Sequence, residues 1–334
     1  MMRTVLMPFA TWPFRSLGHS HCARQTNRPL CARLPIPSIT IMRSRIGACL
    51  LLLLVTLSVI VVDCAHPSPG PNAVHVTLLH LNDCYELMPA SGTDLGGVAR
   101  VATLAKRLRQ ANPNTFTFLA GDLFAPSALS TTPIPNPGGA TLDGNQMVVA
   151  MNAIGVDAAC LGNHETDLKL APFTKNMNLS NFTWLSTNAM IFGYQHLQKS
   201  MIFETKPVAG DSSNRTVKLG VMGMTVDSNN RTGVETYYGF EYASTILAPE
   251  EIAHLNDQGA DIIVALTHYD YEVDQQLVER AAGIHIVVGG HDHNVIEINN
   301  ESTGKASIYK ADSNVRTVWV SSRKQDRVHH IAIK

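Results

Sequence analysis

Residues 284–293 read IHIVVGGHDH: the apolar run Ile284-His285-Ile286-Val287-Val288 leads into Gly289-Gly290 and then into His291-Asp292-His293. An apolar run of this length, bounded by paired glycines, predicts a short buried strand. The glycines let the backbone turn sharply beyond its end. In an extended segment alternate side chains share a face, so His291 and His293 can reach one place. Four other segments repeat the layout. Leu81-Asn82-Asp83, Ala120-Gly121-Asp122, Gly162-Asn163-His164-Glu165 and Leu266-Thr267-His268 each set a ligand-type side chain just past an apolar run.

Working outward, strands are predicted over 73–81, 116–120, 157–161, 184–186, 201–204, 217–222, 261–266, 284–288, 307–311 and 315–321. Helices alternate with them over 147–154, 249–257 and 271–282. Another opens at Gly96-Gly97, where Val98, Val101, Ala105 and Leu108 form an apolar stripe. Its basic residues Arg100, Lys106, Arg107 and Arg109 are expected to form a solvated face. Loops or turns are expected at 133–139 and 211–214. Alternating strands and helices predict an α/β layered domain, and side chains gathered beyond strand ends mark where such folds build sites.

The first 65 residues stand apart. They hold seven arginines, no lysine and one acid, Asp63, ahead of or around an apolar run at 46–62. This predicts a leader over 1–65 that is a signal peptide cut near Cys64 or Ala65, with Met42 as an alternative start. An uncleaved type II signal anchor is the competing expectation, and it alone would bring the chain to a membrane. A Pro/Gly-rich linker follows over 66–73, then one domain over 74–334. Five sequons, at Asn178, Asn181, Asn214, Asn230 and Asn300, fit a secreted glycoprotein. The end VHHIAIK carries no apolar tail for a lipid anchor. From His66 onward 19 basic residues face 26 acidic ones, a net of -7, which argues against nucleic acid as a partner. Of six cysteines only Cys84 and Cys160 lie beyond the leader; buried thiols are expected, with a mutual disulfide left open. His80 is expected in its strand as a hydrogen-bonded core histidine, His285 in a strand as a supporting or packing residue, and His329 and His330 as exposed.

Together the five segments suggest a two-metal hydrolytic centre. Such a centre holds its ions about 3.5–4 Å apart and needs a bridging acceptor. Asp122 suits that role. Asp83 and His293 would complete one ion, and Asn163, His268 and His291 the other. A bridging hydroxide, its pKa lowered by the ions, would be the nucleophile. These carboxylate, amide and imidazole donors suit two divalent ions, zinc first, with manganese or iron as alternatives. His164 should project near the ions without binding them, as a charge stabiliser or proton donor to a leaving oxygen. Asp167, three residues on, could fix its tautomer.

The order of Leu78-Leu79-His80-Leu81-Asn82-Asp83, Leu95-Gly96-Gly97-Val98-Ala99-Arg100, Gly121-Asp122, Gly162-Asn163-His164-Glu165-Thr166-Asp167, Leu266-Thr267-His268 and Gly290-His291-Asp292-His293 resembles the calcineurin-like metallophosphoesterase superfamily, and its 5′-nucleotidase branch in particular. The likeness covers roughly 74–320. It implies a four-layer αββα sandwich, hydrolysis of small-molecule phosphate esters at a dinuclear centre, and a catalytic pair at His164 and Asp167. Two departures stand out. The family pattern Asp-x-His at the first metal is Asp83-Cys84-Tyr85 here, so Tyr85 either ligates as a phenolate or leaves that ion one ligand short; the second is favoured. The chain also stops about forty residues after His293, without the C-terminal domain that grips the nucleobase in secreted 5′-nucleotidases. Both departures favour a competing expectation: a secreted protein that keeps the fold for binding, with weak or no catalysis.

Overall fold

The computed structural model describes residues 74–333 apart from 91, 135–137, 195, 208–214, 228–232 and 323–326. The leader, the 66–73 linker, the sequons at Asn214 and Asn230, the 211–214 turn, the centre of the 133–139 loop and the side chains of His329 and His330 lie outside the described residues. Among described residues no helix is long and apolar enough to cross a membrane.

In chain order the strands are β1 (Thr77–Leu81), β2 (Thr115–Ala120), β3 (Ala158–Cys160), β4 (Thr183–Leu185), β5 (Ala189–Ile191), β6 (Ser200–Glu204) and β7 (Lys218–Thr225). They continue as β8 (Val234–Tyr237), β9 (Ile262–His268), β10 (Ile286–Gly289), β11 (Ile296–Ile298), β12 (Ser307–Lys310), β13 (Thr317–Ser322) and β14 (Arg327–Ala332). The helices are α1 (Val98–Ala111), α2 (Ala128–Thr131), α3 (Asn145–Ile154), α4 (Leu170–Leu179), α5 (Phe240–Tyr242), α6 (Ala248–Asp257) and α7 (Tyr271–Arg280).

Two six-stranded sheets carry the fold, in the orders β14-β13-β1-β2-β3-β4 and β11-β12-β10-β9-β7-β6. In the first sheet β1 to β4 pair in parallel while β13 and β14 join antiparallel; in the second, β12, β10, β9 and β7 pair in parallel and the edge strands β11 and β6 antiparallel. Because side chains alternate across a strand, β9 sends Val264 and Leu266 to one face and Ile263 and Ala265 to the other. The first pair meets Phe118, Ala158 and Cys160 in an apolar layer between the two sheets. Ile263 and Ala265 pack instead with Ile252 and Leu255 of α6 and Leu277 of α7. On the outer face of the first sheet, Val101 and Ala105 of α1, Met147 and Met151 of α3, and Phe173 of α4 cover Leu79 and Leu119. The order is helix, sheet, sheet, helix, so the αββα expectation holds. Each buried Leu, Ile or Val contributes on the order of 1.5–3 kcal/mol to this stack.

Several elements were not expected from the sequence. Helix α4 begins without a side-chain cap and carries Pro172 in its first turn, where proline is tolerated; its buried stripe of Phe173, Asn176 and Met177 mixes polar with apolar residues. Strands β5 and β8 form a separate two-stranded ribbon with a register shift at Met190/Ile191. Arg109 departs from the solvated face assigned to α1: its guanidinium donates to Ile154 O (2.6 Å) and Thr117 Oγ1 (2.8 Å). Cys84 and Cys160 are both buried and free, so no disulfide joins them.

His80 of β1 is buried as expected, but neither ring nitrogen has a hydrogen-bond partner of normal geometry among the described residues. Burial is the main cause that lowers its pKa to about 3. The unfolded chain therefore binds this proton at a higher pH than the fold does. Stability attributable to His80 is complete above about pH 6.5 and is lost as pH falls towards 3, by up to about 1.4 kcal/mol per pH unit. His80→Leu is expected to flatten that acid limb in denaturant unfolding at pH 7.5 and 5.0. An unchanged pH slope would contradict this.

Candidate metal centre

Five parallel strands deliver the site at their carboxyl ends. Asp83 lies two residues past β1, Asp122 two past β2, and Asn163 and His164 follow β3. His268 is the last residue of β9, and His291 and His293 follow β10. Four of these residues take left-handed backbone conformations despite having a Cβ: Asp83 (φ 51°), Asp122 (φ 57°), His291 (φ 80°) and His293 (φ 56°). Such conformations are costly outside glycine and persist where surroundings impose them.

The two sheets are tied together at this edge. The His268 Nδ1–H donates to Ala120 O (2.7 Å), linking β9 to β2. The His291 N–H donates to Asp83 Oδ2 (2.9 Å), linking the segment after β10 to the one after β1. Close approach demands glycine at two places. A Cβ on Gly121 would lie 2.6 Å from His268 Nδ1, and one on Gly290 would strike Ala120 O. Asp83 is further held by Asn82 Nδ2, 2.7 Å from its Oδ2, and Asn82 itself is pinned to both backbone groups of Ala311.

The ligand atoms of Asp83, Asp122 and His268 all lie within 4.8 Å of one another, and all three residues are buried. His293 Nε2 stands 3.0 Å from Asp83 Oδ1. The His291 ring packs edge-on against His268 at 5.1 Å and comes within 3.6 Å of Asp270 Oδ1. Asn163 is half-buried on the loop after β3, its carbonyl accepting the Thr166 hydroxyl at 3.1 Å. The next residue, His164, donates its backbone N–H to Asp122 Oδ1 (2.9 Å). The Nδ1 of His164 sits 2.5 Å from Asp167 Oδ2, while its Nε2 points inward to within 4.0 Å of Asp122 Oδ2. The residues singled out in the sequence thus meet at one edge.

Their electrostatics call for a cation. With Nδ1–H committed to Ala120 O, His268 Nε2 is buried without a hydrogen-bond partner, 3.3 Å from Asp122 Oδ2. Two lone pairs at that separation need a proton or a metal ion between them. Burial opposes a charge on His268, but the Asp122 and Asp83 carboxylates outweigh it and push the pKa up to about 10. For Asp83, burial acts upward and is overcome by His268 and His293, which hold the carboxyl well below its usual range. The donor set of carboxylates and imidazoles fits a divalent ion.

Tyr85 enters the same cluster. Its hydroxyl lies 2.9 Å from Asp122 Oδ2, 3.1 Å from Asp83 Oδ1 and 3.1 Å from His293 Nε2. Burial, with Asp122 and Asp83 nearby, pushes the phenol far above its ordinary pKa. One hydroxyl hydrogen can serve only one of the two carboxylates at a time, and as a donor the Tyr85 hydroxyl competes with a cation for their oxygens.

Three buried charged groups received no role from the sequence. Glu165 accepts backbone N–H groups from Asp122 (3.0 Å), Leu123 (2.6 Å), Phe124 (3.3 Å) and Gly162 (2.6 Å). Burial and Asp122 push its pKa up to about 7 against these amides. Lys310 and Asp274 pair at 2.8 Å behind the His291–His293 segment. A lysine closing the strand Ser307-Ile308-Tyr309-Lys310, and an aspartate on the stripe Asp274-Leu277-Val278, were the available signals. His285 plays the supporting part expected of it, its Nδ1 accepting the Ile263 N–H (3.0 Å).

Residues 76–295 match the family model described as calcineurin-like phosphoesterase. A 5′-nucleotidase of Bos taurus is 28% identical over 249 residues, which cover 70% of this chain and 40% of that protein. The chain therefore spans well under half the length of the curated relative it matches. Among solved structures, the calcineurin-like phosphoesterase YfkN of Bacillus subtilis superposes with a TM-score of 0.61 at 22% identity, over 78% of this chain and 91% of that one. A 5′-nucleotidase precursor from Thermus thermophilus gives 0.62 at 21%, over 78% and 55%. At these identities the structures speak for the fold alone.

Proposed function

Because the chain belongs to the calcineurin-like phosphoesterase family, we propose that it hydrolyses small-molecule phosphate monoesters, nucleotides among them, at a centre of two divalent ions. The observation that carries this reading is the buried set Asp83, Asp122 and His268, with its partnerless His268 Nε2. Ions bound there would supply Lewis acidity to a phosphoryl group and acidify water at neutral pH. Zinc suits the donors best, with manganese or iron as alternatives.

The chain's own residues would do the rest. Asp122 would bridge the two ions, with Asp83 and His293 completing one and Asn163, His268 and His291 the other. The Asp167 carboxylate keeps a proton on Nδ1 of His164 and holds the ring with Nε2 facing inward. From Nε2 the imidazolium can pass a proton to the departing oxygen of the ester. The net of -7 beyond the leader argues for small substrates over nucleic acid. Secretion is part of the proposal, by a cleaved leader or else as a type II anchored form. Asn178 and Asn181 are exposed, Asn178 on helix α4 rather than on a loop. Asn300 fits glycosylation less well, since its Nδ2 donates to Ala306 O (2.8 Å).

The test is phosphate release from AMP, ATP and an aryl phosphate, with and without chelator. Chelator-sensitive turnover of at least one ester is expected; none on any ester would favour the second reading, a fold kept for binding with little catalysis. Tyr85 is the observation on that side. Tyr85→His is expected to tighten one metal equivalent by about tenfold or more, the scale on which groups around a metal tune it. Metal titration of the apo-protein reads this, and an affinity equal to that of wild type would remove Tyr85 as a competitor for the ion.

A further inference from the structure

Lys310 is fully buried at the end of β12. Its ammonium donates to Tyr269 O, to Gly290 O (3.1 Å) and to Asp292 Oδ2 (2.6 Å), and pairs with Asp274 Oδ2 (2.8 Å). These partners are not scattered. Tyr269 directly follows His268, Gly290 directly precedes His291, and Asp292 lies between His291 and His293. One buried cation thus grips the two chain segments that present three imidazoles to the site. On the other flank Glu165 does the converse, an anion gripping the amides of the Asp122 and Gly162 segments.

Taking a lysine out of water costs several kcal/mol unless acceptors surround it. Burial works against the charge here, and Asp274 and Asp292 more than restore it, so the pKa is raised. A salt bridge serving only to dock α7 on β12 would need Asp274 alone. The bonds to Gly290 O and Asp292 go instead to a loop whose two histidines both hold costly left-handed conformations. Among the described residues the loop's backbone is otherwise tied by the Gly290 N–H to Thr267 O (3.0 Å), the His291 N–H to Asp83 and the Asn294 side-chain amide to Asp292 O (2.9 Å). Asp292 Oδ1 accepts the Tyr271 N–H (3.2 Å), and the His291 and His293 rings reach Asp270 and Asp83.

We propose that Lys310 is a positioning residue which, through Asp292 and Gly290 O, locks the 290–293 loop in the conformation that turns His291 towards His268 and His293 towards Asp83. This rests on the metal-centre reading above. The lock sets how well the two imidazoles are organised before an ion arrives, and removing it weakens metal binding without emptying the core.

The experiment compares zinc and manganese dissociation constants of apo wild type, Asp292→Ala and Lys310→Met, with thermal midpoints measured in excess chelator. In Asp292→Ala, Lys310 keeps Asp274 as its partner, so the chelator midpoint should stay within about 2 °C of wild type while metal affinity falls about 10–100-fold. Lys310→Met should lose at least as much affinity and also melt lower, because Asp274 is left buried and unpaired; if it fails to fold, Asp292→Ala still decides. Wild-type affinity in Asp292→Ala would overturn the proposal. A wild-type protein that binds neither metal would bring down the metal centre itself, and the role of Lys310 with it.

Discussion

Replacing Glu165 with alanine should cost about 3–5 kcal/mol of folding stability, the scale for breaking a buried, bonded charge. For a domain of this size that lowers the thermal midpoint by roughly 10 °C. The cause is specific. Four backbone N–H groups, from Asp122, Leu123, Phe124 and Gly162, converge on its two oxygens in a place with no access to water. Their loss as a group leaves donors that no neighbour can satisfy. Glu165→Gln keeps the shape and one oxygen but turns an NH2 towards the amides, so an intermediate loss is expected. The left-handed turn at Asp122 is anchored by the same bonds, and metal affinity should fall along with stability. An alanine variant melting within about 2 °C of wild type would contradict this account of the loop.

His164→Ala is expected to lower turnover by about 10²–10⁴-fold, the range for a positioned acid or base, with metal content and thermal midpoint unchanged. The side chain is partly exposed, touches Asp167 and faces Asp122 at 4.0 Å, so removing it empties no core and takes no donor from the ion-binding set. Asp167→Asn should fall short of that loss, because the imidazole stays but its tautomer and tilt are no longer fixed. Turnover within a factor of about 3 of wild type would remove His164 from the chemistry. Loss of bound metal would instead make it a ligand.

The apolar runs made the core strands legible because both of their faces are buried. In Asp261–Leu266 each residue after the first points at one apolar layer or the other, and the run reads as continuous. The ends of those strands made the site legible as well, since Asp83, Asp122, Asn163, His268, His291 and His293 each follow such a run. Elements that bury little were not legible. Strand β8 and the edge strand β11 have no fully buried residue, β5 is three residues long with Met190 exposed between buried Ala189 and Ile191, and α4 mixes Asn176 into its buried face. Glu165 and Lys310 escaped notice for another reason. Glu165 meets backbone amides, and Lys310 meets two carbonyls and two carboxylates, drawn together from segments apart in the chain, and no spacing in the sequence records which groups a side chain will meet. Tyr85 was visible as a departure, yet only the fold puts its hydroxyl within 3.1 Å of Asp83, Asp122 and His293 at once.

The most direct measurement titrates zinc or manganese into the chelator-treated protein while following bound metal and phosphate release from an ester in parallel. Turnover is expected to rise with occupancy of the Asp83–Asp122–His268 cluster, and Asp122→Ala to abolish both. Full metal occupancy with no turnover on AMP, ATP or an aryl phosphate would contradict it.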